Sequence, residues 1–290
     1  ECHGKILIVD CGVLFPEEHQ PGVDVILPDW SYLRDRLGDI VAIVLTHGHE
    51  DHVGALSYAL QEFKFPIISS EFTLGLARGR IEENGVLKNT KLIVVKDNER
   101  RQFGPFDCEF LPITHSVPHG FATAFHTPQG TILHSGDFKI DLTPVDGRLS
   151  DLSRIGGISS TDGVRLLLAD STNAEVPGFV TPEREIGVVL DQVIGQARQR
   201  VIVASFASHV HRIQQIVDVA HAHNRRVCFV GRSMIRNMQI AQDLGYLTVP
   251  DGLVVDIDTA ATLPDDRLVL ISTGSQGEPL AEIGRASCRE

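Results

Sequence analysis

Cysteine is scarce in this sequence, and no two cysteines are spaced as C-x-x-C. The five cysteines are Cys2, Cys11, Cys108, Cys228 and Cys288. A dispersed, odd-numbered set predicts free thiols in a reducing cytoplasm rather than a disulfide framework. The sequence also lacks an apolar run of about 18 residues and a basic-then-apolar leader. We therefore expect a soluble cytoplasmic protein.

Positive charge is also scarce. Lys and Arg number 26 against 38 Asp and Glu, which gives a formal net charge of −12. Attraction to a nucleic acid would therefore have to come from metal ions and a local basic surface. Residues 225, 226, 232 and 236, all arginine, either supply such a surface or form an ordinary solvated face. The content of 42% hydrophobic and 22% charged residues is typical of a globular protein with one large domain or two ordinary ones.

The apolar pattern predicts two regions along the chain. Before about residue 195, strands are predicted at 5–10, 40–46, 66–69, 91–95, 108–113, 122–126, 131–134 and 164–169, with helical spacing over 54–63. Later strands are predicted at 200–204, 226–230 and 268–273, with helices at 212–223 and 234–244 between them. This alternation predicts a parallel sheet in a second lobe.

The central chemical signal is the run His47-Gly48-His49-Glu50-Asp51-His52, directly after the predicted strand 40–46. On a strand-to-helix loop, His47 and His49 can face one metal ion while Asp51 and His52 turn toward a second. Imidazole and carboxylate suit zinc, and two ions about 3.5–4 Å apart can activate a bridging hydroxide. The alternative is a loop of surface histidines, which the buried strand before the run disfavours.

Three further residues follow predicted strands and can join such a site. His115 follows the strand 108–113, Asp137 follows 131–134, and Asp10 ends 5–10. A lone His or Asp at a strand end is usually a cap or a loop hydrogen bond. Together with the histidine run, His115 and Asp137 are predicted as metal ligands, and Asp10 as a carboxylate that orients a histidine.

Residues 205–211 lie between a predicted strand and a helix that is expected to begin near Val210 or His211. With Ser208 as the N-cap residue, the amide groups at the helix start would form an anion site. The alternative is that Ser208 is a simple helix cap with no ligand.

The order of Asp10, the histidine run, His115 and Asp137 resembles the metallo-β-lactamase superfamily. Within it the chain is similar to the ribonuclease J family of the β-CASP nucleases, over residue 5 to about residue 280. The similarity is densest in Asp10-Cys-Gly-Val-Leu-Phe-Pro-Glu-Glu, Leu45-Thr-His-Gly-His-Glu-Asp-His-Val-Gly-Ala, His134-Ser-Gly-Asp-Phe-Lys-Ile-Asp-Leu-Thr-Pro-Val, Asp170-Ser-Thr-Asn-Ala-Glu, Phe206-Ala-Ser-His-Val-His-Arg, Gly231-Arg-Ser-Met and Ser272-Thr-Gly-Ser-Gln-Gly-Glu-Pro. The last four stretches are not shared with lactamases or glyoxalases.

The resemblance implies a role for each site residue. His47, His49 and His115 would hold one metal ion, Asp51 and His52 the other, and Asp137 would bridge them. The expected catalytic carboxylates are Asp10, Asp51, Asp137 and Asp170, of which Asp170 matches the acidic first motif of the β-CASP group. The expected RNA-phosphate ligands are Ser208, His209 and Val210, although the family usually has asparagine where this chain has His209.

The implied fold is an α/β protein: an incomplete metallo-β-lactamase αββα sandwich with an inserted, partial β-CASP lobe. The expected domains are 1–195 for the sandwich and 196–280 for the lobe, with a non-native tail at 281–290 or, alternatively, a natural polar tail. The chain starts at Glu1 without methionine and contains neither the family's Ser-Gly-His motif nor its later histidine. We therefore expect a chain truncated at both ends, with the second metal site short of one ligand.

The implied function is a metal-dependent ribonuclease of RNA processing and decay, with endonuclease and 5′-to-3′ exonuclease activity. Two Zn²⁺ ions are the expected cofactors, with Mn²⁺ or Mg²⁺ as alternatives. The expected partner is single-stranded RNA with a 5′-monophosphate, and the full-length protein is expected to be a homodimer or homotetramer away from membranes. The alternatives are a small-molecule metallo-hydrolase of the lactamase or glyoxalase type and an inactive fragment that binds metal or RNA.

Overall fold

The structure is a computed structural model that describes residues 1–17 and 19–274. The chain divides into two compact units. The first unit comprises residues 1–115, 119–140 and 149–178, and the second comprises 116–118, 141–148 and the chain from 179 onward. The expected tail at 281–290 and most of the 272–279 stretch lie outside the described residues.

The first unit contains two β-sheets. A four-stranded parallel sheet has the order β1 (Ile6–Val9), β2 (Ile40–Val44), β3 (Ile67–Ser69), β4 (Leu92–Val94). A five-stranded sheet has the order β5 (Arg100–Phe103), β6 (Phe106–Pro112), β7 (Phe121–Thr127), β8 (Gly130–His134), β9 (Val164–Leu168). The five-stranded sheet is antiparallel except for its last pair, β8 with β9.

Helices cover the outer faces of these sheets. The α-helices are α1 (Glu50–Val53), α2 (Leu56–Glu62), α3 (Glu71–Glu83) and α4 (Leu152–Thr161), and two 3₁₀ helices span Ser31–Asp39 and Leu87–Asn89. One core cluster packs Ile43 of β2 against Leu56 of α2 and Leu74 of α3. Another packs Leu111 of β6 against Ile158 of α4. Each sheet thus buries one apolar face under helices.

The remaining faces of the two sheets pack against each other. Val44 of β2 and Ile68 of β3 share a core cluster with Phe110 of β6 and Phe121 of β7. The order of layers is therefore helix, sheet, sheet, helix, which confirms the αββα sandwich expected from the sequence.

The second unit is built on a three-stranded parallel sheet. Its strands are β10 (Val201–Ala204), β11 (Arg226–Val230) and β12 (Leu268–Ser272), in the order β10-β12-β11. Its α-helices are α5 (Glu183–Gln196), α6 (Val210–Ala222), α7 (Arg232–Asp243) and α8 (Ile257–Thr262), with a 3₁₀ helix at Asp265–Arg267. The predicted β-α alternation and its parallel sheet are confirmed.

The sequence pattern predicted the strands more completely than the helices. Each predicted strand is present within about two residues of its expected bounds, as is usual at strand ends. The sequence pattern did not predict β5, α1, α3, α4, α5 or α8. No helix of the described residues is long and apolar enough to cross a membrane.

A buried ion cluster fastens α4 to the five-stranded sheet. Glu109 of β6 is 3% exposed. Arg154 of α4 donates to it twice, from Nε to Oε1 at 2.5 Å and from Nη2 to Oε2 at 2.9 Å. His126 of β7 places Nε2 2.8 Å from Oε2 of the same carboxylate. One acidic side chain therefore joins two strands to the covering helix.

Replacing Glu109 with glutamine removes the charge that Arg154 and His126 contact. We expect the free energy of unfolding to fall by about 1–3 kcal/mol, because buried Glu109 loses charge-assisted hydrogen bonds while the partly exposed Arg154 can be solvated. Urea unfolding followed by circular dichroism measures the change.

The matched control is Asp107→Asn, because Asp107 pairs with Arg100 at an exposed position of the same sheet; its expected cost is about 0–1 kcal/mol. Burial raises the pKa of Glu109, but the hydrogen bonds from Arg154 and His126 outweigh it and hold the pKa below the ordinary value of 4.5. The stability difference between wild type and Glu109→Gln should therefore be full above that value and shrink as the pH falls through the lowered pKa. A loss no larger than that of the control, or one that persists in acid, would contradict this role.

Candidate metal centre

The histidine run occupies the connection from β2 to α1. Thr46 and His47 follow β2 and are fully buried. His49 has extended backbone geometry and is the N-cap residue of α1. Asp51 and His52 lie in the helix itself. The pair predicted to bind one ion, His47 and His49, therefore lies before the helix. The pair predicted to bind the other ion, Asp51 and His52, lies within it.

The first donor group combines the run with two other strand ends. His47, His49, His115 and Asp137 each offer a ligand atom, and these atoms lie within 4.8 Å of one another. Nδ1 of His49 is 3.0 Å from Nε2 of His47 and 3.2 Å from Nε2 of His115. Oδ2 of Asp137 is 4.0 Å from each of the latter two nitrogens. The predicted residues of the first site are therefore brought together.

The second donor group consists of Asp51, His52 and Asp137. Nε2 of His52 is 3.6 Å from Oδ2 of Asp51 and 3.4 Å from Oδ1 of Asp137. Asp137 therefore presents Oδ2 to the first group and Oδ1 to the second. Within the described residues, the second group has three members and the first has four.

Both groups fit a divalent cation such as zinc. Two ligands of one tetrahedral zinc ion, each about 2.0–2.1 Å from it, lie about 3.3 Å apart. The ligand atoms given above are separated by 3.0–4.0 Å, a range that includes this value. Metal-bound histidine must be neutral. Burial lowers the pKa of His47 well below its ordinary value, lowers that of His49 to about 3, and lowers that of His115. The first group therefore presents uncharged imidazoles at neutral pH.

His52 differs from the other three histidines in its charge. Burial opposes protonation of His52, but hydrogen bonds and charges from Asp10 and Asp137 outweigh burial and raise its pKa to about 10. The hydrogen bond with His52 in turn lowers the pKa of Asp137. Without a cation, a proton on His52 balances these carboxylates, and a metal ion at Nε2 would replace that proton.

Asp10 lies behind the second donor group rather than in it. Its Oδ2 is 2.7 Å from Nδ1 of His52, and its Oδ1 accepts a hydrogen bond from the Thr46 N–H at 2.7 Å. With Nδ1 occupied in this way, His52 directs Nε2 toward Asp51 and Asp137. The position agrees with the predicted orienting carboxylate.

Sequence analysis missed the importance of Gly12. A Cβ at this position would lie 1.5 Å from the backbone oxygen of Asp51, so no other residue fits without moving the metal-binding run. The neighbouring Cys11 N–H donates to the His52 oxygen at 2.7 Å. The Asp-Cys-Gly sequence after β1 was the available signal, but its partner is 39 positions away.

A second missed contact is the ion pair between Glu50 and Arg80. Glu50 lies in the first turn of α1, and Arg80 of α3 donates to its carboxylate. The ion pair therefore connects the helix that carries Asp51 and His52 to α3.

The turn that carries Asp137 is held on two sides. The Gly136 N–H donates to Nδ1 of His134 at 3.1 Å, and Gly136 has a φ of 60°, which favours glycine. On the other side, Oδ2 of Asp170 accepts from the Phe138 N–H at 3.3 Å. Asp170 thus stabilises the backbone next to Asp137 and belongs to neither donor group among the described residues.

The predicted phosphate loop belongs to the second unit. Helix α6 begins at Val210, and its N-cap residue is His209, whose side chain makes no capping hydrogen bond. The helix start near Val210 is as expected, but the prediction that Ser208 is the N-cap residue is wrong, because His209 directly precedes the first helical residue. The His209 and Val210 N–H groups donate to the backbone oxygens of Phe206 and Ser208, and the Val210 side chain is fully buried.

Replacing Gly12 with alanine should weaken metal binding. The new methyl group must displace the Asp51 backbone and with it the His52 ring, so both ligands leave their positions. We expect a loss of affinity of about 10- to 100-fold, the range seen when ligands lose their support. Metal analysis after dialysis against a chelator measures it. Gly38→Ala is the control, since a Cβ at Gly38 meets nothing within 4 Å; equal metal content in both variants would contradict the prediction.

Two family models match the chain. The metallo-beta-lactamase superfamily matches residues 3–159, more than half of the chain, and the beta-CASP domain of ribonuclease J matches residues 198–290. A crystal structure of a protein of unknown function from Enterococcus faecalis superposes with a TM-score of 0.60 at 15% identity, and covers 94% of this chain and 73% of that one. That likeness shows the fold alone.

Curated relatives extend the match over nearly the whole chain. Ribonuclease J of Mycolicibacterium smegmatis is 49% identical over 98% of this chain and 50% of that protein. Ribonuclease J of Thermus thermophilus is 43% identical over 97% and 50%, and ribonuclease J 1 of Streptococcus pyogenes 38% identical over 98% and 50%. The chain thus spans about half the length of these relatives. It belongs to the metallo-β-lactamase superfamily, and its residues 198–290 match the β-CASP domain of ribonuclease J.

Proposed function

We propose that this chain is the metal-binding part of a ribonuclease that hydrolyses RNA phosphodiester bonds. The observation that carries the proposal is Asp137, which offers one carboxylate oxygen to each of two adjacent donor groups. Two cations that share a carboxylate are a recurring arrangement in enzymes that cleave phosphate esters. The relatives named ribonuclease J support RNA as the substrate.

Each site residue has a role in this proposal. His47, His49 and His115 would hold one ion, Asp51 and His52 would hold the other, and Asp137 would be a ligand of both. Bound ions would supply a hydroxide nucleophile at neutral pH and neutralise charge on the phosphate. Asp10 holds the His52 ring, and Asp170 keeps the Asp137 turn in place, so their catalytic contribution is to position ligands.

We further propose two Zn²⁺ ions, because three imidazoles in the first group favour zinc over the oxygen-preferring ions. Mn²⁺ or Mg²⁺ remain the alternatives for the second group, where two of the three donors are carboxylates. The substrate we propose is single-stranded RNA with a 5′-monophosphate, cut internally and from the 5′ end. The segment Ser208, His209, Val210 would bind its phosphate, supported by the start of α6 at Val210.

The organisation that we propose is a sandwich domain at 1–195 and a β-CASP domain at 196–280, in a cytoplasmic homodimer or homotetramer. The compact units differ from this boundary, since they place residues 179–195, with most of α5, in the second unit. A small-molecule hydrolase of the lactamase or glyoxalase type is disfavoured, since the relatives are named ribonuclease J and the second family match is a β-CASP domain. The number of ions that the wild-type chain binds tightly distinguishes a third possibility, an inactive fragment that binds metal or RNA.

Asp137→Asn should weaken both donor groups at once. The amide loses the negative charge that the ions share, and we expect each affinity to fall by about 100-fold or more, beyond the 10- to 100-fold typical of lost supporting contacts. Calorimetric titration with zinc, combined with metal analysis, measures this on the 290-residue chain. In wild type we expect one tightly bound ion in the four-member group and a weaker second ion.

The control is Asp107→Asn, which removes a carboxylate from the same sheet but outside both groups. Loss of only one ion in Asp137→Asn would contradict the shared ligand. Two tightly held ions in wild type would contradict an incomplete second site, whereas one tightly held ion or none would support the inactive fragment.

The activity itself is tested at the full length of the curated relatives. Loaded with zinc or manganese, the protein should cleave 5′-monophosphorylated single-stranded RNA, and cleave it faster than the 5′-triphosphorylated form. A chelator should abolish cleavage, and added metal should restore it. Intact RNA under these conditions overturns the proposal, and turnover of a thioester or lactam without RNA cleavage would support the small-molecule alternative.

A further inference from the structure

Thr46 lies between the two donor groups but belongs to neither. It is fully buried at the end of β2. Its Oγ1 is 2.8 Å from Oδ2 of Asp10, 3.0 Å from Nδ1 of His47 and 3.4 Å from Nδ1 of His52. One hydroxyl group therefore contacts a carboxylate and the ring of a histidine from the first group.

The direction of these hydrogen bonds follows from simple proton counting. A hydroxyl group has one hydrogen to donate and two lone pairs that accept, whereas an ionised carboxylate only accepts. The Thr46 hydrogen therefore points to Asp10, and Oγ1 accepts the hydrogen on Nδ1 of His47. His52 has its own shorter contact with Asp10, at 2.7 Å, and directs its Nδ1 hydrogen there.

This assignment decides which nitrogen of His47 is available to a metal ion. With hydrogen on Nδ1, the lone pair of the neutral ring lies on Nε2. Nε2 is the atom that faces the first donor group, 3.0 Å from Nδ1 of His49 and 4.0 Å from Oδ2 of Asp137. In the other tautomer, the hydrogen on Nε2 would point into the group and exclude a cation.

We propose that Thr46 is a positioning residue that fixes His47 in the Nδ1–H tautomer and thereby transmits the charge of Asp10 to the first donor group. Asp10 then orients one histidine in each group: His52 directly, and His47 through the Thr46 hydroxyl. The proposal rests on the metal-dependent function stated above, since it concerns how that site is prepared for a cation.

The hydroxyl group and the methyl group of Thr46 can be removed separately by substitution, so their roles can be tested one at a time. A Cβ built on Gly136 would lie 3.4 Å from the Thr46 methyl carbon, so this methyl group packs against the turn that carries Asp137. Thr46→Val keeps a methyl group there and removes the hydroxyl. Thr46→Ser keeps the hydroxyl and removes the methyl. If Thr46 acts by packing, Thr46→Ser should be the damaging variant. If it acts by hydrogen bonding, Thr46→Val should be.

Nitrogen-15 NMR of the histidine rings tests the tautomer in the metal-free chain, with His47→Gln used only to assign the His47 signals. We expect His47 to carry its hydrogen on Nδ1 in wild type and in Thr46→Ser, and to lose that preference in Thr46→Val. Zinc titration of the same proteins should give a first-ion affinity about 10- to 100-fold lower in Thr46→Val and nearly unchanged in Thr46→Ser.

Three outcomes would overturn the proposal: a wild-type His47 with hydrogen on Nε2, an unchanged tautomer and affinity in Thr46→Val, or a larger loss in Thr46→Ser than in Thr46→Val. The wild-type spectrum is decisive even if Thr46→Val fails to fold. None of these readouts involves RNA, so a protein that binds zinc as expected but leaves RNA intact would refute the proposed function and leave the role of Thr46 standing.

Discussion

The first unit depends on one constraint: the ligand atoms of the first donor group, each with an unshared electron pair, lie crowded together. Ligand atoms of His47, His49, His115 and Asp137 lie within 4.8 Å of one another, with His47 buried and the other three partly buried. Such atoms desolvate one another, and burial makes protonation of the imidazoles still less favourable. The arrangement is costly without a cation and favourable with one, so the surrounding structure must hold it together while no cation is bound.

Two sheets supply that rigidity. Ligands of the first group follow β2, β6 and β8, so they come from both sheets of the sandwich. The distance between them is therefore set by the apolar layer between the sheets, where Val44 packs with Phe110 and Phe121. A close-packed core resists deformation. Apolar side chains between the sheets, which are not part of the donor group, therefore fix the distances between its ligand atoms.

The sequence predicted the site residues that lie close together along the chain or at strand ends. It did not predict the contacts between residues far apart in sequence. The histidine run could be identified because its ligands are consecutive and follow an apolar strand, and Asp10 because it ends a strand at the same sheet edge. Gly12 contacts Asp51 and Arg80 contacts Glu50 across about thirty to forty residues, and no spacing rule signals such pairs. Helix α3 was missed for a related reason: six of its thirteen residues are buried, on more than one face, so its apolar residues show no single stripe.

In the proposed two-ion centre, the position of Asp137 determines how both ions would respond to the supply of metal. Since one carboxylate serves both groups, the free energy of binding one ion contains a term that depends on the other. Whatever factor the first ion applies to the affinity for the second, the second applies to the first in return. The affinity of each site would then depend on whether the other site is occupied. A change in the concentration of one metal would therefore alter the occupancy of both sites.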